Sequence, residues 1–373
     1  MNSRFKPVIV LAVIVVIIAA LVWWLRPEQE QRYELQGDES PLLRFVIQHL
    51  LDPSGGIYTN LRDDLELAPD MAGNHQMLSE STGLMMAYAL RTDRKELYET
   101  QVSFLTRYLM TGDGQIRWVY EKRGPYSDVH ANASIDDLKI IGALFAAAER
   151  WRIDRYERLA DRLAQVLLDH GVTEDGYLAD YYDWRYGGMA DTITSSYLEL
   201  EVLGKLADRD PSWQPIHERA ADLLRSAHLP NGLFYKTYVI PERRWIVPEE
   251  FNMIDVLYAA LHLMQGGGDA TNTVSLIERK WLEDGQLFAS YDGQLKPVNR
   301  SISPAVYALA YRLMVRADRP DVAEELGETL HQLSIRDDQS PYYGGFVEPS
   351  TREAYSFDHL QALLAESETE VER

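Results

Sequence analysis

One turn, repeated six times, constrains this chain more than any other feature. Turn segments occur as DPSGGIYTNL from Asp52, GDGQIRWVYE from Gly112, TEDGYLADYYD from Thr173, LPNGLFYKTY from Leu229, LEDGQLFASYD from Leu282 and QSPYYGGFVE from Gln339. Their glycines, Gly55, Gly114, Gly176, Gly232, Gly285 and Gly344, recur at about 53 to 62 residues. Each lies beside aromatic and aliphatic residues, the chemistry of a tight turn that enters a short extended segment. A fixed period of this size marks a repeat architecture. Between the turns, apolar residues recur at helical spacing in about twelve stretches, among them PLLRFVIQHLL, STGLMMAYAL, IDDLKIIGALFAAAERW and DVLYAALHLM. Six units of two helices result. The first helix, near Pro41 to Leu51, has no partner before it, and the last, near Glu353 to Leu364, has none after it. They complete one another if the array closes. The expected fold is therefore all-α, an (α/α)6 barrel of six helical hairpins, with an open, capped solenoid as the alternative. The glycines report architecture, not catalysis.

The barrel is expected to follow a membrane anchor. Pro7 to Leu25 reads PVIVLAVIVVIIAALVWWL, uncharged and about long enough to cross a bilayer as a helix. Arg4 and Lys6 precede it, which places residues 1–6 in the cytoplasm and the rest of the chain outside. A cleaved signal peptide is the rival reading. The length of the run and its Trp23-Trp24 end, in place of a small-residue cleavage site, favour a retained anchor over 7–25. Residues 26–39 are polar, acidic and aperiodic and read as a linker, 40–366 as the barrel, and 367–373 as an acidic tail. The formal charge of -21 argues against nucleic acid, whose phosphates bind through Lys and Arg. With no Cys, disulfides, zinc–thiolate sites and thiol catalysis are excluded. The nine His show no HExxH or similar pair, and there is neither a P-loop nor a G-x-G-x-x-G, so no metal and no cofactor is expected.

Inner helices of an alternating array share a direction, so their starts meet at one face. These starts are Ser79-Glu80, Ser134 to Asp137, Asp191-Thr192, Asn252 to Asp255, Ser301 to Pro304 and Ser356 to Asp358. Capping alone explains most of these residues, since Ser, Asp and Asn satisfy free backbone N–H groups and acids suit the helix dipole. Two acids exceed that explanation. Glu80 opens a very apolar helix, and Asp255 lies inside MIDVLY, where burial costs free energy unless the acid is hydrogen-bonded or protonated. A salt-bridged core acid is the bland alternative for Asp255. Asp136-Asp137 forms a weaker pair, one of which serves as a cap. Trp118, Tyr120, Tyr182, Trp184, Tyr186, Tyr235 and Trp245 fall in or near connections, where rings can stack on sugar faces or merely seal loops.

These residues resemble glycoside hydrolase family 8, from about Pro41 to Leu364. Ser79-Glu80-Ser81-Thr82-Gly83 looks like the family's Ser-Glu-x-x-Gly helix start, Ser196-Tyr197-Leu198 like its Ser-Tyr-Leu near the cleft, and Ile254-Asp255-Val256 like the segment holding its base aspartate. The resemblance implies an (α/α)6 barrel that cleaves β-linked polysaccharide with inversion, with Glu80 as general acid and Asp255 as general base. It further implies substrate contacts from Asp136, Asp137 and Tyr197, to which the loop placement of Trp118, Tyr120, Trp184 and Tyr235 adds those four rings as candidate substrate contacts. One position departs from the pattern. Where many members read Ala-Ser-Asp-x-Asp, this chain has Ala133-Ser134-Ile135-Asp136-Asp137, so the first aspartate is replaced by Ile135. That change argues for a substrate other than plain cellulose. The membrane-anchored branch associated with bacterial exopolysaccharide operons looks most similar, which implies a secreted polysaccharide and exopolysaccharide synthesis machinery as partners. Two rivals stand beside this reading: a catalytically inactive glycan-binding or scaffold protein, and a polysaccharide lyase, for which no basic uronate-binding patch is seen.

Overall fold

The computed structural model describes residues 33–67, 71–122 and 128–370. The expected anchor at Pro7 to Leu25 lies outside the described residues, among which no helix is long and apolar enough to cross a membrane. Among the described residues, twelve α-helices alternate between two layers. The outer layer holds α1 (Pro41–Phe45, continued by a π-helical turn Val46–Leu50), α3 (Lys95–Phe104, continued by Leu105–Leu109), α5 (Asp154–Gly171), α7 (Gln214–Ala227), α9 (Thr271–Asp284) and α11 (Pro320–Leu333). The inner layer holds α2 (Ser79–Arg91), α4 (Ser134–Trp151), α6 (Leu200–Arg209), α8 (Met253–Gln265), α10 (Pro304–Arg316) and α12 (Ser356–Glu370). Sequence decides the layer. In α5 the buried residues Tyr156, Ala160, Leu163, Ala164 and Leu167 form one stripe, so one face can meet solvent. In α8, Met253 and Val256 to Leu263 are all buried, as a helix enclosed on every side requires.

The ring closes. α12 packs against α2 as well as α10. The seam is stitched by backbone bonds, Leu61 N–H to Ala354 O at 3.0 Å and Ser356 N–H to Thr59 O at 2.9 Å. Short antiparallel pairs join neighbouring units along the same rim: β1 (Met77–Leu78) with β2 (Val119–Tyr120), β5 (Thr192–Thr194) with β6 (Thr237–Val239), and β8 (Phe251–Asn252) with β9 (Ser290–Tyr291). Two hairpins project from it, β3 (Tyr182–Asp183) with β4 (Gly188–Met189), and β6 with β7 (Arg244–Trp245).

All six turn glycines have positive φ, from +64° to +96°. Four of them share one hydrogen-bond pattern, in which the first turn residue both donates to the residue four ahead and accepts from the glycine, as with Asp52, Gly56 and Gly55. The fifth unit departs from the expectation. There Gly285 only caps α9, and the same pattern falls six residues later than elsewhere, on Asp292, Lys296 and Leu295, the last at φ +64°. The start of the third inner helix also needs correction. Asp191-Thr192 does not open it, because Thr192-Ile193-Thr194 is a strand whose two threonines bind Asp180, and α6 begins only at Leu200. Finally, the segments expected as linker and tail belong partly to the barrel. Tyr33 and Glu39 are buried, Ser367 is buried, and Glu368 pairs with Arg91 and Arg312 at 2.7 and 3.1 Å.

Candidate active site

The common end of the inner helices carries Glu80 in the first turn of α2, Asp136 and Asp137 in that of α4, Asp255 in that of α8 and Asp358 in that of α12. Their partners separate structural acids from the rest. Asp358 accepts from Ser303 Oγ and Ala305 N–H at 3.1 and 2.8 Å, so it caps the neighbouring helix α10. Asp180 is held by Thr192 and Thr194.

Glu80 and Asp136 form a close pair. Asp136 Oδ2 accepts from Ser79 Oγ at 2.6 Å and the carboxylate also takes the Glu80 N–H, which ties the start of α4 to that of α2. Gly83 allows this approach. A Cβ there would stand 3.3 Å from Lys139 Cβ, so the two helices touch one turn below Glu80. Desolvation, reinforced by the Asp136 charge and opposed by Lys139, raises Glu80 to about 7. Burial likewise lifts Asp136 to about 6, against Lys139 and the Ser79 bond. Asp137 is raised well above the usual carboxylate range by burial, although Asn132 Nδ2 donates to its Oδ2 at 2.7 Å. Its other oxygen has no partner in the structure.

Asp255 is held differently. Ser196 Oγ donates to its Oδ1 at 2.7 Å, and Lys236 Nζ stands 2.8 Å from its Oδ2. Tyr197 is within electrostatic reach of both groups. Its phenol is held neutral by burial and by the charges of Asp136, Asp180, Glu80 and Asp255, all within electrostatic reach. Acids from α2, α4 and α8 thus lie within electrostatic reach of one phenol. That arrangement offers a proton-holding carboxyl and a second carboxylate fixed by a serine and an ammonium, the chemistry of general acid and base.

The aromatic candidates divide. Tyr120 packs on the outer-layer rings of Phe104 and Tyr108, at 6.1 and 5.2 Å between centroids. Tyr235 stacks on Trp245 at 6.5 Å, and Trp184 meets His130 edge-on at 6.0 Å. Trp118 is half-buried, and its carbonyl receives the Ser79 N–H at 3.0 Å. Tyr186, at the tip of the β3–β4 hairpin, is 80% exposed and offers the most open ring. Ile135 is buried at 4% exposure. Sequence reasoning missed Lys139, Lys236 and Glu199. Glu199, raised to about 7 by burial, heads α6 with Oε2 unpartnered. Among the described residues no group of three His, Asp or Glu is placed to hold a metal ion.

No family model matches the chain. It is 30% identical over 313 residues to the Bacillus subtilis (strain 168) protein named "Putative lipoprotein YdaJ", spanning 83% of this chain and 84% of that protein. Among solved structures, a protein described as a novel alpha-amylase from Clostridium perfringens superimposes with TM-score 0.81 at 28% identity, over 88% of this chain and 96% of that one. PssZ from Listeria monocytogenes gives 0.68 at 21% identity, over 90% and 97%. The family 8 glycosyl hydrolase endoglucanase Cel10 from Klebsiella pneumoniae gives 0.64 at 15%, over 89% and 100%. At those identities the last two establish the fold alone.

Proposed function

The chain belongs to one family with the Bacillus subtilis protein named YdaJ, and from that premise we propose that it is a glycoside hydrolase of the family 8 type that cleaves a β-linked bacterial exopolysaccharide with inversion. Glu80, protonated, donates to the leaving oxygen, while Asp255 activates a water on the opposite face of the sugar. Such a reaction needs the two carboxyls roughly 6.5 to 9.5 Å apart, with room for that water. The observation that carries the reading is the pairing of Glu80, raised to about 7 beside Asp136, with an Asp255 fixed by Ser196 and Lys236 around the same tyrosine. Asp136, Asp137, Trp118, Tyr197 and Trp184 line the sugar path in this reading, with Tyr120 and Tyr235 behind them.

The barrel is held outside the cytoplasmic membrane by Pro7 to Leu25, near the machinery that makes the polymer. The support is the uncharged run itself and a relative whose name includes the word lipoprotein. A second reading, an α-linked glucan as substrate, is favoured by the 28% identity to the protein described as an alpha-amylase.

Reducing ends released from β-glucans, amino-sugar polymers, the host's own exopolysaccharide and an α-glucan test these readings together. Wild type should act on a β-linked polymer and form the inverted anomer first. Glu80→Gln and Asp255→Asn should each lower the rate by about 10²- to 10⁴-fold, the usual contribution of a general acid or base. Release at background level by all three proteins on every polymer would instead favour a catalytically inactive glycan-binding protein.

A further inference from the structure

A single ammonium lies under the acid pair, in a helix that is otherwise apolar at that height. Lys139 follows Asp136 by one turn of α4, and its stem rests on Gly83, one turn below Glu80. Its Nζ stands 4.4 Å over the ring of Tyr258 and 3.4 Å from the Tyr258 hydroxyl. Every inner helix sends a polar group towards it or towards Tyr258, which it touches. Glu80 comes from α2, Asp136 from its own helix, Glu199 from the head of α6, Tyr258 and His262 from α8, and Arg312 from α10. From α12, Gln361 donates to the Tyr258 hydroxyl and receives Arg312 Nη1 at 3.3 Å, and Arg312 continues to Glu368 at 3.1 Å. The pair above is also faced by Tyr197, and Asp136 by Asp137.

We propose that Lys139 is a positioning residue for the reaction, whose ammonium limits the Glu80–Asp136 pair to one proton and so keeps a carboxylate beside the protonated acid. The physical case is a balance of charges. Two desolvated neighbouring carboxyls resist a second negative charge, and removing the cation beneath them raises both further. A neutral Asp136 offers a substrate hydroxyl a weaker acceptor, and Glu80 would hold its proton too tightly to give it up. Lys139 opposes the rise at both acids, while its Nζ is held over the Tyr258 ring. The proposal rests on Glu80 being the general acid.

The test uses the full chain in detergent and reads protonation without a substrate. The infrared band of protonated carboxyls that Glu80→Gln removes is titrated in wild type, Lys139→Met and Lys139→Arg, with circular dichroism to check folding. In Lys139→Met the band should persist to a pH at least one unit higher than in wild type, and Lys139→Arg, which keeps the buried cation, should titrate close to wild type. Superimposable curves for Lys139→Met and wild type overturn the proposal, as does a Lys139→Arg curve displaced by a unit or more. On a cleaved polymer, the alkaline limb of kcat/KM should move in the same direction as the band. Unchanged activity in Glu80→Gln would instead defeat the assignment of the acid, and the infrared curves would still judge what Lys139 does to the pair.

Discussion

Glu80 meets two opposed demands. At the first turn of α2 the helix dipole favours its carboxylate, whereas a general acid must keep its proton. Desolvation and the Asp136 charge outweigh the dipole and Lys139, and the group is raised to about 7. The sign follows directly. A raised carboxyl is protonated below about 7 and loses the proton as pH rises through that value, so kcat/KM should fall on the alkaline side in step with the protonated fraction. Residual activity in Glu80→Gln should lack that limb. An alkaline limb of equal position in both proteins would assign it to another group. Glu80 and Asp255 stand out in the sequence because an acid among apolar neighbours carries a cost that something must offset. Lys139, inside LKIIGAL, satisfies the same criterion and could have been found by it. Lys236 could not, because YKTY is a polar hairpin segment in which a lysine is unremarked, and its pairing with Asp255 arises only when β6 lies beside β5.

At the scale of the element, the repeat was legible because turn glycines answer to local backbone chemistry. Its failures are equally physical. A helix-capping glycine and a turn glycine look alike in sequence, so Gly285 masked a fifth turn built on Leu295. Asp191-Thr192 resembles a cap, yet Thr-Ile-Thr alternates and pairs as a strand once Asp180 receives both threonines. Not every glycine at positive φ matters equally. Gly232, at φ +93°, would place a Cβ 2.4 Å from the Asn272 carbonyl oxygen of α9, whereas Gly187, at φ +64°, faces open space. Gly232→Ala should therefore destabilise the barrel by about 2 to 4 kcal/mol through strain and backbone overlap together, and Gly187→Ala by about 1 to 2 kcal/mol through conformation alone. Urea midpoints compare them. Equal losses would mean that the packing of this turn onto α9 contributes nothing beyond its φ.

For the whole molecule the decisive event is closure, since an unclosed ring would leave α1 and α12 with bare faces and scatter the acids. The seam is built around His359 on α12, which is fully buried. Its ring stacks on Phe45 of α1 at 4.8 Å. Its Nδ1–H donates to the Tyr355 carbonyl at 2.7 Å, and its Nε2 accepts the Phe346 N–H at 2.9 Å. Both nitrogens are thereby committed to the neutral tautomer, because a proton on Nε2 would face a donor. Burial lowers the imidazole from its usual 6.5 to about 4. A histidine with a lowered pKa contributes stability that is fully present above 6.5 and is lost as pH falls towards 4. At 1.36 kcal/mol per pH unit the contribution is about 3 kcal/mol. His359→Gln, which cannot titrate, should be less stable than wild type at pH 7 but should lose less stability on acidification to pH 4.5. The carboxylates that titrate in this range act equally in both proteins and cancel from the difference. Denaturant midpoints at the two pH values measure it, and parallel losses in both proteins would show that the seam closes without any help from a neutral His359.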